Sequence, residues 1–501
     1  MRRDSIKNAS GSPSQNEAIR APLRIPTPTE TAKSLRRNVP GVQRTYNAHT
    51  RYVKSILPVY RVNLVDRSTE DVKNPLGTGE SRMAKLAAAH PLCKTQKRLK
   101  ANMNRKAHFH YLDHASMGRP TRRTLERLHT ALSDLGTFAS TGTLETIRQF
   151  EALDRARERV AKFIHADPSN ILLVGNTTEA LGTIATALPM SRGDNILMAD
   201  IEFMGATVAW RGACQRAGVE IVPVKTEAGK VFAEQFAARA NSRTRAILIS
   251  SVQEISGWRS DLRAIGDVAA KSGAFVIADG IQETGARTVD FQELAADAFC
   301  AGGHKWLRSP FGMGFACIGP RLLDVLQPAY QGYLALAEPV VGWDRYMELP
   351  ERTPFDLPSD RTDAGRLETC GYPNWLGAMG LDAAIEDFQK LGPERSWKRI
   401  KKLRSRLVAG LRELGIGFLG GPEPPEDAYA GMLTFCLPGG AAQEKKLLEE
   451  MKKARVFASL RYVSGIGGIR TAVHESNSYA DVDALLDVTR RFLKKPVRKK
   501  R

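Results

Sequence analysis

The sequence predicts an α/β fold in which a mostly parallel sheet is flanked by helices. Short apolar runs rich in β-branched residues alternate with helical patterns such as TTEALGTIATAL and DLRAIGDVAAKSG. Such alternation is typical of a parallel sheet with helices on both faces. The predicted strands are residues 171–175, 195–200, 219–224, 245–250, 274–279 and 297–302. Because ligands of these sheets bind beyond the C-terminal ends of the strands, we expect the site there.

The pattern changes near residue 345. AIEDFQKLG and SWKRIKKLRSRLVAGLREL predict helices, MLTFCLP predicts a short strand, and DVDALLDVTRRFL predicts a last helix. We therefore predict a large domain over residues 106–345 and a smaller C-terminal α+β domain over residues 346–493. The N-terminal segment of the large domain is expected to contact the smaller one.

The formal net charge of +20 is concentrated at the two ends of the 501-residue chain. Residues 1–105 carry 21 Lys and Arg against 7 Asp and Glu, and residues 494–501 add six basic residues, which leaves residues 106–493 about neutral. Both ends are predicted to be basic tails, the first one disordered, because little apolar periodicity accompanies their charge. The neutral body does not resemble a nucleic-acid binder, so any binding of nucleic acid is expected through the tails alone.

The six cysteines form no Cys-x-x-Cys pair and have no histidine at ligand spacing. This pattern predicts buried thiols in a reducing compartment and no metal site. The chain has no run of 18 apolar residues, so no membrane span is expected. We predict a cytoplasmic location.

A predicted helix start follows the strand at 171–175. Residues 176–179 read Asn-Thr-Thr-Glu, and the free backbone N–H groups there, with the hydroxyls of Thr177 and Thr178, suit a phosphate group. Threonine at a helix start is also a common cap without a ligand. The Asn-Thr-Thr-Glu sequence alone does not distinguish a phosphate site from a helix cap without a ligand.

Asp279 is the last residue of the predicted strand at 274–279, and Lys305 follows the predicted strand at 297–302. Asp279 could hold the protonated nitrogen of a bound ring or cap a helix. Lys305, in GGHKW, could be a loop lysine or a desolvated amine that forms a Schiff base. Together with the helix start, they match what pyridoxal 5'-phosphate requires: a phosphate cradle, a carboxylate for the ring nitrogen and a lysine for the aldehyde.

Seven motifs in order make residues 108 to 492 resemble the class V aminotransferase family of fold-type I pyridoxal-phosphate enzymes, and most closely its isopenicillin N epimerase-like branch. They are YLDHASMGRP, GNTTEAL, ADIEFMGA, SSVQEISGWRSDLRAIG, ADGIQETGA, GGHKW and GGIRTAVHESNSYADVDAL. The resemblance implies Lys305 as the Schiff-base lysine, Asp279 as the partner of the pyridine nitrogen and Arg470 as the group that binds the substrate carboxylate.

The remaining roles implied by the resemblance concern the cofactor. Gln282 would contact the phenolic oxygen of the ring, and Phe203 would stack on the ring. Thr177, Thr178 and His304 would hold the phosphate. His474 and Asn477 belong to the closing motif and are expected beside the site.

Four features depart from the pattern of the family. Gly302 replaces a Ser or Thr that would bind the phosphate, and Tyr372 replaces a Thr that would reach the phosphate of the partner subunit. Glu254 stands where some relatives have Asn near the substrate. The stretch before Arg470, FASLRYVSGIGGIR, lacks the cysteine that desulfurases of the family require.

The resemblance implies an enzyme that acts on the α-carbon of an amino acid or a similar amine through a Lys305 Schiff base. We predict an aminotransferase, an epimerase or a β-lyase, and the missing cysteine disfavours a cysteine desulfurase. The alternative is a catalytically idle scaffold whose basic tails bind nucleic acid or an acidic partner. A homodimer with sites at the subunit interface is also implied.

Overall fold

The computed structural model of the chain describes residues 109–138, 143–369, 371, 374–421 and 429–494. The predicted tails lie outside these ranges, apart from Lys494, and so does Tyr372. The strands are β1 (His110–Tyr111), β2 (Ile171–Val174), β3 (Asn195–Ala199), β4 (Glu220–Val224), β5 (Thr244–Ser250), β6 (Phe275–Asp279), β7 (Ala298–Gly302), β8 (Gly314–Ile318), β9 (Gly417–Phe418), β10 (Met432–Cys436), β11 (Val456–Phe457), β12 (Ser459–Val463) and β13 (Ile466–Ala472).

Helices connect most of these strands. They are α1 (Arg122–Phe138), α2 (Thr143–Phe163), α3 (Thr177–Ala187), α4 (Met204–Ala217), α5 (Ala233–Ala237), α6 (Leu262–Ser272), α7 (Pro320–Leu323), α8 (Trp343–Glu348), α9 (Trp375–Leu391), α10 (Pro393–Glu413), α11 (Gly440–Lys453) and α12 (Tyr479–Lys494). Short 3-10 helices occupy Pro168–Asn170, Phe291–Glu293, Tyr333–Ala335 and Ala364–Leu367. Among the described residues, no helix is both long and apolar enough to cross a membrane.

A seven-stranded sheet forms the centre, in the order β2-β8-β7-β6-β5-β3-β4. The pairs from β7 through β6, β5 and β3 to β4 are parallel, whereas β8 runs antiparallel to both of its neighbours, β2 and β7. A direct loop joins β7 to β8, and neighbouring strands joined without a crossover run antiparallel. The predicted fold class, a mostly parallel sheet flanked by helices, is confirmed.

Both faces of the central sheet are buried, which explains the unbroken apolar runs in the sequence. Successive side chains of a strand point to opposite faces, and β5 shows this clearly. Ile247 and Ile249 pack into the core on one face, whereas Ala246 and Leu248 pack into the core on the other.

A smaller antiparallel sheet has the order β12-β13-β10-β9. Its β12–β13 hairpin turns through Ser464 and Gly465, which both have positive φ angles (48° and 80°) and form the two-residue turn that fits the twist of a hairpin. The N-terminal β1 pairs in parallel with β11, His110 opposite Val456. The division into domains at residues 345 and 346 stays a prediction.

Candidate active site

The ends of β2, β6 and β7 meet at one edge of the central sheet and border a cavity of about 340 Å³. This is the C-terminal edge of the parallel strands, where ligands of such sheets bind. Seven of the eight predicted site residues line the cavity. They are Thr177, Thr178, Phe203, Asp279, His304, Lys305 and Arg470.

Lys305 is held on the loop between β7 and β8 by close backbone packing. The N–H of Gly118 donates to the carbonyl of His304 over 2.8 Å. Gly118 lies so close that a Cβ added there would stand 1.9 Å from the carbonyl oxygen of Lys305. Burial lowers the pKa of Lys305 to about 8, against the opposing charge of Asp279. The amine is therefore partly neutral near physiological pH, as a nucleophile requires.

Asp279 ends β6 and is only 6% exposed. Its Oδ1 accepts a hydrogen bond from the N–H of Ile281 over 3.0 Å. Burial raises the pKa of Asp279, while this hydrogen bond and the charge of Lys305 oppose the rise. A buried carboxylate is strongly stabilised by a protonated nitrogen, so Asp279 suits the pyridinium of a bound ring.

The first turn of α3 has the backbone geometry that suits an anion. The side chain of Asn176 caps the helix by accepting from the N–H of Glu179 over 2.9 Å. The first N–H groups of a helix, here those of Thr177 and Thr178, have no acceptor within the helix and can face a phosphate. The Oγ1 of Thr177 accepts from the N–H of Gly302 over 2.8 Å, which joins α3 to the end of β7.

His304 and Gly302 complete that side of the cavity. Burial, with a smaller effect from the charge of Lys305, lowers the pKa of His304 to about 4. The imidazole is therefore neutral at pH 7 and offers a hydrogen bond rather than a positive charge. A Cβ on Gly302 would approach the His304 ring to 3.1 Å, so a hydroxyl residue there would crowd His304.

Phe203 precedes α4, and the residue is 44% exposed. The Nζ of Lys305 lies 5.8 Å from the centroid of this ring. A Cβ on Gly205 would meet the Phe203 ring at 2.9 Å and the Oγ1 of Thr178 at 3.0 Å, so all three lie together. An exposed ring beside the amine and the helix start is placed to stack on a flat cofactor.

Gln282 is the one predicted residue that does not line the cavity. Its Nε2 donates to the carbonyl of Ala115 over 3.1 Å, and its Oε1 accepts from the indole N–H of Trp306 over 2.9 Å. The amide thus ties the N-terminal segment to the loop of Lys305. A contact of Gln282 with the cofactor stays a prediction.

Arg470 on β13 is 1% exposed and is surrounded by acceptors. Its Nη1 donates to the Oε2 of Glu254 over 2.8 Å and to the Glu254 carbonyl over 3.1 Å. Its Nη2 donates to the Oγ of Ser116 over 2.8 Å and lies 3.4 Å from the Oδ1 of Asp113. The sequence pattern did not predict Asp113 or Ser116 at the site, because both come from the distant N-terminal segment.

Arg461 also lines the cavity and was not among the predicted site residues. Its Nη2 donates to the same Ser116 Oγ over 3.3 Å. In the β12–β13 hairpin Ser459 pairs with Arg470, so Arg461, two residues further on, lies on the same face of the sheet. A hairpin assigned from the SGIGG turn would have revealed this relation.

Glu202 is a further residue near the site that was not predicted from the sequence. Its carboxylate accepts from the backbone N–H of Ser250 and from the Nε2 of Gln253, both over 2.9 Å, and from the hydroxyl of Ser250. Burial raises the pKa of Glu202 to about 7. It anchors the segment that leads from β5 to Glu254.

His474 and Asn477 lie beside the site, as expected. The Nε2 of His474 donates to the carbonyl of Trp306 over 3.1 Å, and burial lowers its pKa to about 3. The Nδ2 of Asn477 donates to the carbonyl of Tyr111 over 2.8 Å. Both residues hold the surrounding segments rather than line the cavity.

The comparison with known families agrees with this arrangement. A family model described as aminotransferase class-V matches residues 110–485. The chain belongs to the class V aminotransferase family. The isopenicillin N epimerase-like branch is not distinguished by this match.

Two curated relatives of the chain are named as probable cysteine desulfurases. A probable cysteine desulfurase of Pyrococcus abyssi is 26% identical over 353 residues, which cover 68% of this chain and 83% of the relative. A probable cysteine desulfurase of Vibrio cholerae is 29% identical over 356 residues, covering 69% and 82%.

Solved structures share the fold at lower identity. The cystine C-S lyase C-DES, in a complex with its reaction product cysteine persulfide, has a TM-score of 0.69 and 21% identity, covering 78% of this chain and 98% of that chain. The apo cysteine desulfurase of Thermococcus onnurineus has a TM-score of 0.66 and 21% identity, covering 77% and 95%.

The prediction that disfavoured a cysteine desulfurase is wrong, because the curated relatives are named cysteine desulfurases. An aminotransferase or epimerase specificity has no support from these names. The prediction rested on one missing thiol in residues 457–470, which form most of the β12–β13 hairpin. Sulfur transfer needs a thiolate that reaches the cavity, and that thiolate can come from elsewhere in the protein or from solution.

The cavity fits pyridoxal 5'-phosphate. It combines a partly neutral amine at Lys305, a buried carboxylate at Asp279, a helix N-terminus with two hydroxyls at Thr177 and Thr178, and an exposed ring at Phe203. These are the groups that this cofactor requires for its aldehyde, its ring nitrogen, its phosphate and its ring face.

Proposed function

We propose that this chain uses pyridoxal 5'-phosphate to remove sulfur from a cysteine-type amino acid. The observation that carries the proposal is the placement of Lys305, Asp279 and Arg470 around one cavity. The curated relatives named cysteine desulfurases support the choice of a sulfur-containing substrate.

The cofactor supplies an electron sink when it is bound, and the residues of the chain orient and protonate the substrate. The Nζ of Lys305 would take the proton from the α-carbon of the substrate, because its lowered pKa leaves part of the amine neutral. Asp279 would keep the ring nitrogen protonated. Arg470 would bind the α-carboxylate, since a guanidinium binds a carboxylate through two hydrogen bonds.

The acceptor of the sulfur is proposed to be a thiol from solution. Among the described residues, no cysteine lines the cavity, and Cys436, on the strand beside β13, directs its Sγ to the carbonyl of Gly467. Burial also raises the pKa of Cys436, which disfavours its reactive thiolate. In the balanced reaction, cysteine and a thiol R–SH give alanine and the persulfide R–S–SH: the C–S bond breaks, an S–S bond forms and the β-carbon gains a proton.

The proposal is tested by the products formed from L-cysteine. Purified protein loaded with pyridoxal 5'-phosphate should release alanine and, with dithiothreitol present, an equal amount of sulfide. Lys305→Ala should form neither product. Formation of pyruvate and ammonia in place of alanine, or no product at all, would contradict the proposal.

We also propose that the protein is a homodimer of the cytoplasm within the isopenicillin N epimerase-like branch. The motif resemblance supports the branch and the dimer. The segment after β8 exposes apolar side chains, such as Val340, Phe355 and Leu357. Exposed apolar surface of this kind is typical of a protein–protein interface, which supports the dimer. Analytical ultracentrifugation would contradict the dimer if the protein sedimented as a monomer at micromolar concentration.

A further inference from the structure

The side chain of Glu254 forms an ion pair with Arg470, whose guanidinium would bind a substrate carboxylate. Its Oε2 lies 2.8 Å from the Nη1 of Arg470, and its own carbonyl accepts from the same nitrogen over 3.1 Å. Ser116 and Asp113 contact the Nη2 at 2.8 Å and 3.4 Å. The four N–H groups on the two terminal nitrogens of Arg470 therefore all face acceptors of the protein.

The charges around Arg470 already balance without a substrate. Glu254 and Asp113 place two carboxylates against this one guanidinium, and Arg461 adds a second positive charge by donating to the same Ser116 hydroxyl. An incoming α-carboxylate would add a third negative charge within a partly buried cluster. Such like charges repel strongly where water screens them little.

Glu254 is the member of this cluster that can move. It lies on the connection between β5, which ends at Ser250, and α6, which is capped by Asp261. Its side chain is 19% exposed and lines the cavity, whereas Arg470 is 1% exposed and fixed within a sheet. Rotation of the Glu254 side chain would free the N–H of Nη1 that now faces Oε2, without moving the backbone carbonyl that accepts from the same nitrogen.

We propose that Glu254 is a specificity-determining residue that competes with the substrate α-carboxylate for Arg470. The inference rests on the proposed function only in taking an amino acid as the substrate. A substrate carboxylate binds Arg470 only when it displaces the Glu254 side chain. The carboxylate therefore adds less to the binding affinity of the substrate than it would if Arg470 had no ion pair with Glu254. The neutral variant Glu254→Gln should therefore favour ligands that carry the carboxylate.

The test compares two ligands that differ only in the carboxylate. L-alanine and ethylamine are titrated into the protein loaded with its cofactor, and dissociation constants are obtained from the change in visible absorbance. In Glu254→Gln, we expect the dissociation constant of L-alanine to fall about tenfold, as for a hydrogen-bonded charge pair of modest strength. The constant for ethylamine should change less than about twofold.

Matched variants separate this effect from general ones. Glu220→Gln makes the same chemical change at an exposed position of β4 and should alter neither constant. Glu254→Asp keeps the charge but withdraws it by one methylene, and should give an intermediate constant for L-alanine. It also keeps the test available if Glu254→Gln does not fold.

Two results would overturn the inference. Equal tightening of both ligands would mean that Glu254 acts through its general charge, and weaker binding of L-alanine would mean that Glu254 positions Arg470 for the substrate. Neither ligand carries sulfur, so the result does not depend on desulfuration. A wild-type protein that binds L-alanine but releases no sulfur from cysteine would contradict the proposed function alone.

Discussion

Gly118 lies directly against the peptide of Lys305, and its N–H donates to the carbonyl of His304 over 2.8 Å. A Cβ at Gly118 would stand 1.9 Å from the Lys305 carbonyl oxygen, so Gly118→Ala must displace backbone. We expect a loss of about 1–3 kcal/mol in the free energy of unfolding, as for other overpacked sites. Because the Lys305 loop moves, the variant should also take up cofactor poorly.

Gly182→Ala is the control for this change. Gly182 lies within α3, and a Cβ there would meet nothing within 4 Å. Replacing a helical glycine with alanine stabilises by about 0.5–1 kcal/mol. Urea unfolding gives the free energy of unfolding of both variants. A Gly118→Ala protein as stable as the wild type would show that the backbone relieves the contact of the new Cβ with the Lys305 carbonyl oxygen at little cost.

The lowered pKa of Lys305 predicts how its reactivity depends on pH. In cofactor-free protein, the amine should be half neutral at about pH 8 and should react faster as the pH rises through that value. Acetylation of the Lys305 peptide, followed by mass spectrometry, measures this midpoint. Because the charge of Asp279 raises the pKa of Lys305, Asp279→Asn should move the midpoint to lower pH. A midpoint near that of exposed lysines would contradict the prediction.

Glu202 should make stability fall as the pH rises. Its pKa in the folded protein is raised to about 7 from 4.5, so the folded state holds its proton more tightly than the unfolded state does. The stabilisation is present below pH 4.5 and is lost as the pH rises through about 7. Between pH 5 and pH 8 the free energy of unfolding of the wild type should fall by up to about 3 kcal/mol more than that of Glu202→Gln.

Urea unfolding of the two proteins at both pH values measures this difference. Comparing them removes the contributions of other titrating groups, among them His474. If the free energy of unfolding falls equally in the wild type and in Glu202→Gln, the Glu202 carboxyl does not titrate between pH 5 and pH 8.

Thr177→Val should weaken both the fold and the binding of the cofactor. The change leaves the N–H of Gly302 without the acceptor it now has at 2.8 Å, and a buried unpaired N–H costs about 1–3 kcal/mol. It also removes a hydroxyl from the predicted phosphate site, so the cofactor dissociation constant should rise about tenfold. Thr183→Val, further along α3, is the matched control. An unchanged melting temperature and an unchanged dissociation constant would contradict both roles.

The strand ends were predictable because their signals are local. Short apolar runs marked β2, β6 and β7. The residues at or just after the ends of these strands, Thr177, Asp279 and Lys305, line the cavity as expected. The contacts of Arg470 were not predictable in this way. They depend on the rotamer of Glu254 and on a distant segment that carries Asp113 and Ser116, and neither leaves a periodic signal.

Gln282 shows that a correct position in the sequence does not determine where a side chain is directed. The motif placed it correctly just after β6, but its amide is directed to Ala115 and Trp306 rather than into the cavity. The missing cysteine misled the prediction of function, because one position in a hairpin does not determine which thiol would receive sulfur in a desulfurase.

The pairing of β1 with β11 has a consequence for the order of folding. Asp113 receives a hydrogen bond from Ser459, 346 residues further along the chain, and Ser116 contacts Arg470 on the adjacent strand. This wall of the cavity therefore closes only after nearly the whole chain has been synthesised, and closing so long a loop is entropically costly. A nascent or truncated chain that ends before β11 would have Lys305 and Asp279 in its sequence but could not form the complete pocket.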